Sequence, residues 1–297
     1  MITVTTIAEL RARCDQARHD GASVGFVPTM GALHEGHLTL IRTARADHEL
    51  VVVSLFVNPT QFGPTEDLAA YPRDLARDAA AAATAGADVL FAPSVPEMYP
   101  RPALTSVSVA EMTEGLCGRT RPHHFGGVAT VVTKLFSVVG PCTAYFGKKD
   151  FQQLVVVRRL AEDLDLPVTV VGVPTVREID GLAMSSRNTY LAPDERQAAT
   201  VLFRSLQVAL KTVLSGERDP VRVREAVVDL VAGEPKAELE YAEVLRADDL
   251  ATITHIDDDV EHVVALAAVV GGTRLLDNVT FSVEGRTIRS DTETGET

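Results

Sequence analysis

Short apolar runs alternate with longer amphipathic stretches through the first half of the chain. The runs are apolar at consecutive positions, which is typical of parallel strands covered by helices on both faces. They predict strands at residues 23–29, 50–58, 88–94, 143–147 and 166–174. The stretches between them predict helices at residues 37–48, 74–87, 127–140 and 150–166. In the first of these helices, Leu38, Ile41 and Ala44 fall on one face. This alternation predicts right-handed crossovers and a doubly wound parallel sheet.

The pattern changes in the second half of the chain. Residues 192–216 and 219–230 have helical periodicity, and residues 238–245, 262–271 and 273–281 predict antiparallel strands. We therefore predict an α/β protein with a Rossmann-like doubly wound parallel sheet in residues 1–175 and a smaller α+β C-terminal domain in residues 176–297. The polar tail SDTETGET is predicted to be disordered.

Composition and charge exclude several classes of function. The 297 residues are 46% apolar and 23% charged, as in globular proteins, and the net charge of −13 disfavours nucleic acid as a partner. No apolar run reaches the roughly 18 residues of a membrane span, and the start lacks the basic and apolar regions of a signal peptide. Cys14, Cys117 and Cys142 are odd in number and lack metal-ligand spacing. We therefore expect a cytoplasmic protein with small-molecule partners, no nucleic acid and no membrane.

The segment PTMGALHEGH, residues 28–37, follows the first predicted strand directly. Ligands of doubly wound sheets bind beyond the carboxyl ends of the strands, where helix N-termini offer N–H groups to phosphate. His34 and His37 are three residues apart and share one side of the next helix, and Gly31 and Gly36 allow the backbone to approach a ligand. The pair is a candidate phosphate-binding site. A capped turn with two solvated histidines is the alternative, whereas the spacing does not match a zinc motif.

Amides follow the second predicted strand. In FVNPTQFG, residues 56–63, Asn58 and Gln61 suit a hydroxylated or carboxylated small molecule, although both also suit a turn that bonds its own backbone.

Two later segments carry charged and hydroxyl groups. In FGKKDFQQL, residues 146–154, Lys149 suits phosphate and Asp150 suits a metal ion or ribose, although a solvated first helical turn explains both. GLAMSSRN, residues 181–188, joins the two predicted domains. Its hydroxyls and guanidinium suit triphosphate oxygens, although an N-cap beside a surface arginine is the local alternative.

Together these segments resemble the pantoate–β-alanine ligase family over nearly the whole chain. The resemblance rests on PTMGALHEGH, FVNPTQFG, YPRD (71–74), RPHHFGGVATVVTKLF (121–136), FGKKDFQQL and GLAMSSRN. HEGH also resembles the HIGH-type signature of the nucleotidyltransferase fold. MSSRN matches the position of the mobile phosphate-binding loop of that fold.

The resemblance implies an ATP-dependent condensation of pantoate with β-alanine in pantothenate (vitamin B5) and coenzyme A biosynthesis. Pantoate carboxylate would attack the α-phosphorus of ATP and release pyrophosphate, and the amine of β-alanine would then displace AMP from pantoyl adenylate. The family also implies Mg²⁺, a homodimer formed through the N-terminal domain, and a C-terminal domain that covers the site.

Matching the motifs position by position implies a role for each candidate residue. The implied catalytic residues are His37, His34 and Lys149. The implied ATP-binding residues are Met30, Gly31, Ala32, Leu33, His34, Glu35, Gly36, His37, Gly147, Lys148, Lys149, Asp150, Val176, Met184, Ser185, Ser186 and Arg187. The implied pantoate- and β-alanine-binding residues are Met30, Asn58, Gln61, Arg121, His124 and Gln153. The candidate magnesium ligands are Asp150, directly or through water, and Asp78.

The chain departs from the family pattern at two positions. His123 stands where the family usually has Gly, which predicts a less free backbone, and Phe151 replaces a common Tyr.

Two other functions stay open on the sequence alone. One is a nucleotidyltransferase that adenylylates a phosphate, against which the neutral amides of Gln61 and Gln153 count. The other is a non-catalytic nucleotide-binding module, which would not need Lys149 together with both histidines.

Overall fold

The first half of the chain forms a parallel sheet with helices between its strands. The structure, a computed structural model, describes residues 1–64, 66–285 and 287–292. The parallel strands are β1 (Ile2–Val4), β2 (Val24–Thr29), β3 (Leu50–Leu55), β4 (Val89–Phe91), β5 (Cys142–Gly147) and β6 (Val168–Val173). They lie in the order β1-β4-β3-β2-β5-β6. The short edge strand β1, with only three residues, escaped the sequence prediction.

The strand order reverses at the centre of this sheet. From β2 the chain proceeds outward through β3 to β4, and it then returns to add β5 and β6 on the other side of β2. Gly25 and Phe26 of β2 pair with Thr143 and Ala144 of β5. Such a reversal leaves a ligand-binding crevice at the carboxyl ends of the two strands. The predicted doubly wound sheet is confirmed, and the histidine segment starts at this point.

Helices cover the sheet and continue into the second half. They are α1 (Ile7–His19), α2 (Glu35–Asp47), α3 (Leu75–Ala85), α4 (Val95–Met98), α5 (Leu116–Thr120), α6 (His124–Val139), α7 (Phe151–Asp163), α8 (Pro193–Ala199), α9 (Val201–Leu214) and α10 (Pro220–Ala232). Short 3₁₀ turns cover Pro59–Gln61, Lys148–Asp150 and Ser186–Tyr190. Within the described part of the chain, no helix combines the length and the apolar character that crossing a bilayer requires.

The single helix predicted over residues 192–216 is interrupted at Thr200. Its N–H and its Oγ1 both donate to the carbonyl oxygen of Gln197, at 3.2 and 2.7 Å. This tighter bonding to the third preceding residue separates α8 from α9.

A four-stranded antiparallel sheet follows in the order β10-β9-β8-β7. Its strands are β7 (Ala237–Arg246), β8 (His262–Val270), β9 (Thr273–Glu284) and β10 (Thr287–Ser290). Apolar residues of α9 and α10 pack on it, among them Leu202, Leu206 and Val227. The smaller α+β part is therefore confirmed. Ser290, the first residue of the tail predicted to be disordered, belongs to β10, and residues 293–297 of that tail lie outside the described residues.

The chain divides into two compact units. The first unit is Met1–Lys148 with Val156–Val173, and the second unit is Lys149–Val155 with Pro174–Thr297. Each unit has its own apolar core, built around residues such as Ile41 in the first and Leu266 in the second. The boundary expected between residues 175 and 176 stays a prediction.

Candidate functional site

A buried carboxylate holds the loop between β2 and α2. Asp78 of α3 is only 3% exposed. Its Oδ2 accepts the N–H of Ala32 and its Oδ1 accepts that of Leu33, each at 2.8 Å. Gly31 has a φ of +87°, and a Cβ there would lie 3.0 Å from Oδ2 of Asp78, so the turn requires glycine. The carboxylate thereby fixes the backbone immediately before His34.

This geometry does not support Asp78 as a magnesium ligand. Both of its oxygens accept backbone N–H groups, and its burial leaves little room for a hydrated cation. Among the described residues, no cluster of three or more His, Cys, Asp or Glu side chains is arranged to hold a metal. Asp150 lies exposed in the 3₁₀ turn after β5, and its role as a ligand stays a prediction.

The two histidines stand together at the start of α2. His34 caps the helix with an extended backbone, and His37 lies in its first turn. Their ring centroids are 4.1 Å apart, and the N–H of His34 points at Nδ1 of His37 at 3.4 Å. Because Nδ1 accepts, neutral His37 carries its proton on Nε2, the nitrogen that can donate to a phosphate. The helix dipole favours an anion at the same place.

Glu35 and Gly147 are two further candidates of the first unit. The carboxylate of Glu35 pairs with Arg42 on the exposed surface of α2. Gly147 ends β5, and a Cβ there would meet nothing within 4 Å. Packing within the protein therefore does not explain Gly147, and its implied role in ATP binding stays a prediction.

The amides after β3 form a buried hydrogen-bond network. Asn58 is 1% exposed, and its Nδ2 donates to Oε1 of Gln61 and to the carbonyl oxygen of Gly127, both at 3.1 Å. The hydroxyl of Tyr99 donates to Oδ1 of Asn58 at 2.9 Å. Nε2 of Gln61 lies 3.1 Å from Sδ of Met30. The motifs after β2 and β3 therefore meet, because the two strands are neighbours in the sheet.

The first turn of α6 determines where Gln61 lies. A Cβ at Gly127 would fall 2.4 Å from the carbonyl oxygen of Thr60 and 2.6 Å from the backbone nitrogen of Gln61, which are impossible distances for a real side chain. Nδ1 of His124 lies 3.0 Å from the carbonyl oxygen of Gln61. Glycine at this position thus permits a direct backbone contact that places the amide.

Arg121 forms a two-point ion pair with Glu66. Its Nε donates to Oε1 at 2.8 Å and its Nη2 to Oε2 at 2.5 Å, while Nη2 also lies 3.4 Å from the carbonyl oxygen of Gln61. Burial by itself raises the pKa of Glu66, but the hydrogen bonds and charge of Arg121 outweigh it and hold the pKa below its usual value. The substrate role of Arg121 stays a prediction.

The sequence did not identify Glu66 and Tyr99 as part of the site, because neither belongs to a periodic element or a recognised motif.

Two candidate nucleotide-binding residues lie opposite each other in a hairpin of the second unit. The N–H of Met184 donates to the carbonyl oxygen of Val176 at 2.9 Å, and Arg177 pairs with Ala183 in an antiparallel bridge. We call residues 176–184 the hairpin segment. It leads into the 3₁₀ turn Ser186–Tyr190, where Oγ of the preceding Ser185 accepts the N–H of Arg187 at 3.3 Å.

The remaining candidates of the second unit lie around the start of α7. The carbonyl oxygen of Lys149 accepts Nδ2 of Asn278 at 2.7 Å, and Gln153 lies partly buried in the first turn of the helix. Phe151, which stands where the family commonly has Tyr, is buried.

The backbone at His123 shows that the departure from glycine causes no strain. Its φ of −95° and ψ of −10° are accessible to any residue. The restriction predicted for the backbone at His123 is therefore compatible with the conformation that the chain adopts there.

The chain matches a known family and known proteins over nearly its whole length. A family model described as pantoate-beta-alanine ligase matches residues 2–280. Pantothenate synthetase of Heliobacterium modesticaldum is 53% identical over 283 residues, which cover 95% of this chain and all of that protein. Pantothenate synthetase of Pelotomaculum thermopropionicum is 52% identical over 278 residues, covering 94% of this chain and 98% of the relative.

Two solved structures are similar over almost their full lengths. Pantothenate synthetase from Thermus thermophilus has a TM-score of 0.87 and 47% identity, covering 94% of this chain and 98% of that one. Pantoate-beta-alanine ligase from Francisella tularensis, complexed with beta-gamma ATP and β-alanine, has a TM-score of 0.77 and 31% identity, covering 94% and 97%.

Replacement of Asp78 by Asn should loosen the loop before His34. One of the two backbone N–H groups of the loop would then face an amide N–H₂, a donor against a donor, at a cost of about 1–3 kcal/mol in the free energy of unfolding. Urea denaturation measures this cost, and hydrogen exchange at Ala32 and Leu33 should accelerate. Asp74→Asn is the matched control, because Asp74 caps the same helix from an exposed position and Asn caps equally well. Equal effects of the two substitutions would contradict the role assigned to Asp78.

Gly127→Ala and Gly126→Ala should change stability in opposite directions. The added methyl at Gly127 would push α6 away from Gln61 and lower the free energy of unfolding by about 1–3 kcal/mol. At Gly126 a Cβ meets nothing within 4 Å, and alanine favours the helix by about 1 kcal/mol. Chemical denaturation of both variants tests this difference. A stable Gly127→Ala variant would show that the turn at residues 59–61 is not held by backbone contact.

Proposed function

Because the chain belongs to the pantoate–β-alanine ligase family and is therefore a ligase, we propose that it condenses pantoate with β-alanine, using ATP and releasing AMP and pyrophosphate. The observation that carries this proposal most directly is the histidine pair at the start of α2, next to the point where the strand order reverses. The Francisella relative, complexed with beta-gamma ATP and β-alanine, supports the choice of substrates.

The proposed reaction needs no protein nucleophile. In the first step a pantoate carboxylate oxygen attacks the α-phosphorus of ATP, the bond to the β-phosphate breaks, and pyrophosphate leaves. In the second step the amine of β-alanine attacks the acyl carbon of pantoyl adenylate, the bond to AMP breaks, and the amine loses a proton. The carboxylate is already a nucleophile and the amine needs only to lose a proton to solvent, so positioning and charge stabilisation provide the catalysis.

In the first unit, His37 is the proposed donor to the attacked phosphate. Its Nε2 proton, set by the contact at Nδ1, would stabilise negative charge that grows in the transition state, and His34 beside it would bind a further phosphate oxygen. Gln61, positioned by Asn58 and lying beside Met30, would bind the hydroxyl and carboxylate of pantoate with its neutral amide. Neutral donors suit a substrate whose carboxylate must stay nucleophilic, since a close cation would weaken it.

The roles of the other candidates are proposals of the same kind. Arg121 and His124 would stabilise the turn that carries Gln61, in keeping with their contacts to its carbonyl oxygen. Lys149 would neutralise phosphate charge, and Asp150 offers the exposed oxygen ligand that Mg²⁺ prefers alongside substrate phosphates. The bound ion would supply charge neutralisation at those phosphates. The remaining proposed nucleotide or substrate contacts are Gly31, Ala32, Leu33, Glu35, Gly36, Gly147, Lys148, Gln153, Val176, Met184, Ser185, Ser186 and Arg187.

We further propose that the enzyme acts in the cytoplasm, in pantothenate and coenzyme A biosynthesis. The sequence supports this proposal, since its three cysteines, Cys14, Cys117 and Cys142, are odd in number and lack the pattern of a disulfide scaffold.

Isotope exchange tests the proposed reaction and its order. With pantoate and Mg²⁺ but without β-alanine, the protein should exchange labelled pyrophosphate into ATP, and omitting pantoate should abolish the exchange. His37→Ala should lower the rate about 100-fold or more, by analogy with loss of a transition-state donor, whereas His19→Ala, at an exposed end of α1, should not.

Each rival function gives a different result in this assay. A nucleotide-binding module would show no exchange, and an enzyme that adenylylates phosphates would not respond to pantoate. Exchange that required β-alanine would exclude the two-step order, and near-normal exchange by His37→Ala would leave the pair a structural role only.

We also propose a homodimer formed through the N-terminal domain, which rests on the family resemblance alone. The apolar run at residues 50–58 gives no independent support, because β3 lies inside the sheet between β2 and β4. Sedimentation at micromolar concentration should give about twice 31.9 kDa. A monomer under these conditions would contradict the proposal.

A further inference from the structure

Two neighbouring polar residues are buried in the middle of β9. Asp277 and Asn278 are 1% and 3% exposed and pair with Leu266 and Ala265 of β8, whose side chains belong to an apolar sheet. A buried carboxylate or amide is costly unless its hydrogen bonds are satisfied. The hydrogen bonds of Asp277 and Asn278 therefore indicate why these two polar residues are buried in the sheet.

Asp277 holds the hairpin segment through one arginine. Nη1 of Arg177 donates to Oδ2 of Asp277 at 2.6 Å, and Nη2 donates to Oδ1 at 3.0 Å. The carboxylate is fully buried and the guanidinium is 14% exposed and stacks on Phe203, with Cζ 4.3 Å from the ring centroid. Nη1 also donates to the carbonyl oxygen of Gly181 at 3.1 Å. Arg177 thus joins both sides of the hairpin segment to β9.

The hairpin segment transmits this position to the turn that follows it. Nδ2 of Asn188 donates to Oε1 of Glu178 at 2.8 Å and to the carbonyl oxygen of Ala183 at 3.1 Å. Arg196 of α8 pairs with Glu178 and with Asp180. The hairpin segment and the turn beginning at Ser186 are therefore tied together, and Arg177 provides an ion pair that holds them to β9.

Asn278 holds a second segment from the same point of β9. Its Nδ2 donates to the carbonyl oxygen of Lys149 at 2.7 Å, in the 3₁₀ turn that begins α7. Asp277 Oδ1 accepts the N–H of Asn278 at 2.8 Å, and Nη2 of Arg177 lies 3.3 Å from the carbonyl oxygen of Asn278. The two anchors are thus parts of one network.

We propose that Asp277 and Asn278 are positioning residues for nucleotide binding in the second unit. One anchor carries the segment with Val176 and Met184, and the other carries Lys149. This inference rests on the proposed function, in which both segments contact ATP. Stability alone is a weak explanation for the pair, because buried ion pairs are often replaced by apolar residues without loss of stability, whereas they do fix geometry.

Nucleotide affinity tests this role directly. Asn278→Asp replaces the donor facing the carbonyl oxygen of Lys149 with a carboxylate oxygen, and Arg177→Lys keeps the charge but loses the two-point contact. Each should weaken binding of Mg²⁺ with a non-hydrolysable ATP analogue about tenfold or more in calorimetry. For Arg177→Lys, the KM values for pantoate and β-alanine should stay within about twofold, since the hairpin segment carries none of the residues proposed to bind either substrate.

Glu240→Gln is the matched control for a purely structural effect. Glu240 forms a two-point ion pair with Arg274, which lies on the same strand β9, at 2.6 and 2.9 Å. This variant should lower the unfolding midpoint without changing nucleotide affinity. If Asn278→Asp and Arg177→Lys also lower only the midpoint, the network is structural and the inference is wrong. Asn278→Ser, too short to reach the carbonyl oxygen of Lys149, replaces Asn278→Asp if that variant does not fold.

The binding measurement separates this inference from the proposed function. A wild-type protein that binds the analogue but makes no pantothenate would overturn the proposed function, while weakened binding by the variants would still support the positioning role. A wild-type protein that makes pantothenate, with variants that bind the analogue normally, would overturn the positioning role alone.

Discussion

The carboxylate of Asp78 is the contact on which the geometry of the histidine pair depends. The loop before α2 has positive φ at Gly31 and at Ala32, a conformation that an alanine adopts only at a cost. Two charge-assisted hydrogen bonds to one buried carboxylate offset that cost. They also give two backbone N–H groups a hydrogen-bond partner within the protein. With the backbone held there, His34 can cap α2 and its ring can lie beside that of His37. The electrostatic role of Asp78 is therefore indirect: it places the donors.

The overall charge of the protein does not favour binding of its proposed substrate. The chain has a net charge of −13, whereas the proposed nucleotide substrate is itself an anion. Attraction must therefore come from local groups, since exposed charges more than about 8 Å apart are largely screened at physiological ionic strength. The helix N-terminus with its two histidines is the group proposed for this role in the first unit. Around Gln61, by contrast, the site relies on neutral amides and sulfur, and the nearby guanidinium of Arg121 is neutralised by Glu66.

In the second unit, two buried polar residues of β9 hold the segments that are proposed to bind nucleotide. Asp277 and Asn278 are adjacent in sequence, so their side chains leave opposite faces of β9, yet each reaches a segment more than 90 residues away along the chain. Sheet residues move little once packed, which makes them better anchors than loop residues for segments that must bind a ligand. The same logic applies in the first unit, where β2 and β3 carry their motifs to one edge.

Local patterns in the sequence determined most of the fold, whereas most of the candidate site residues came from the resemblance of whole motifs to a family. Strands follow from consecutive apolar residues and helices from the 3.6-residue period, and these depend only on near neighbours; parallel topology then brings residues 28–37 and 56–63 to one edge of the sheet. The sequence pattern did not predict the break at Thr200. It also did not predict the short strands β1 and β10, because three or four residues carry too little periodicity. The partners of Asp78, Glu66 and Asp277 were decided only by the tertiary structure. Each lies at least 45 residues from its partner, so its contact exists only after packing brings distant segments together, and no local pattern records which distant group it will meet.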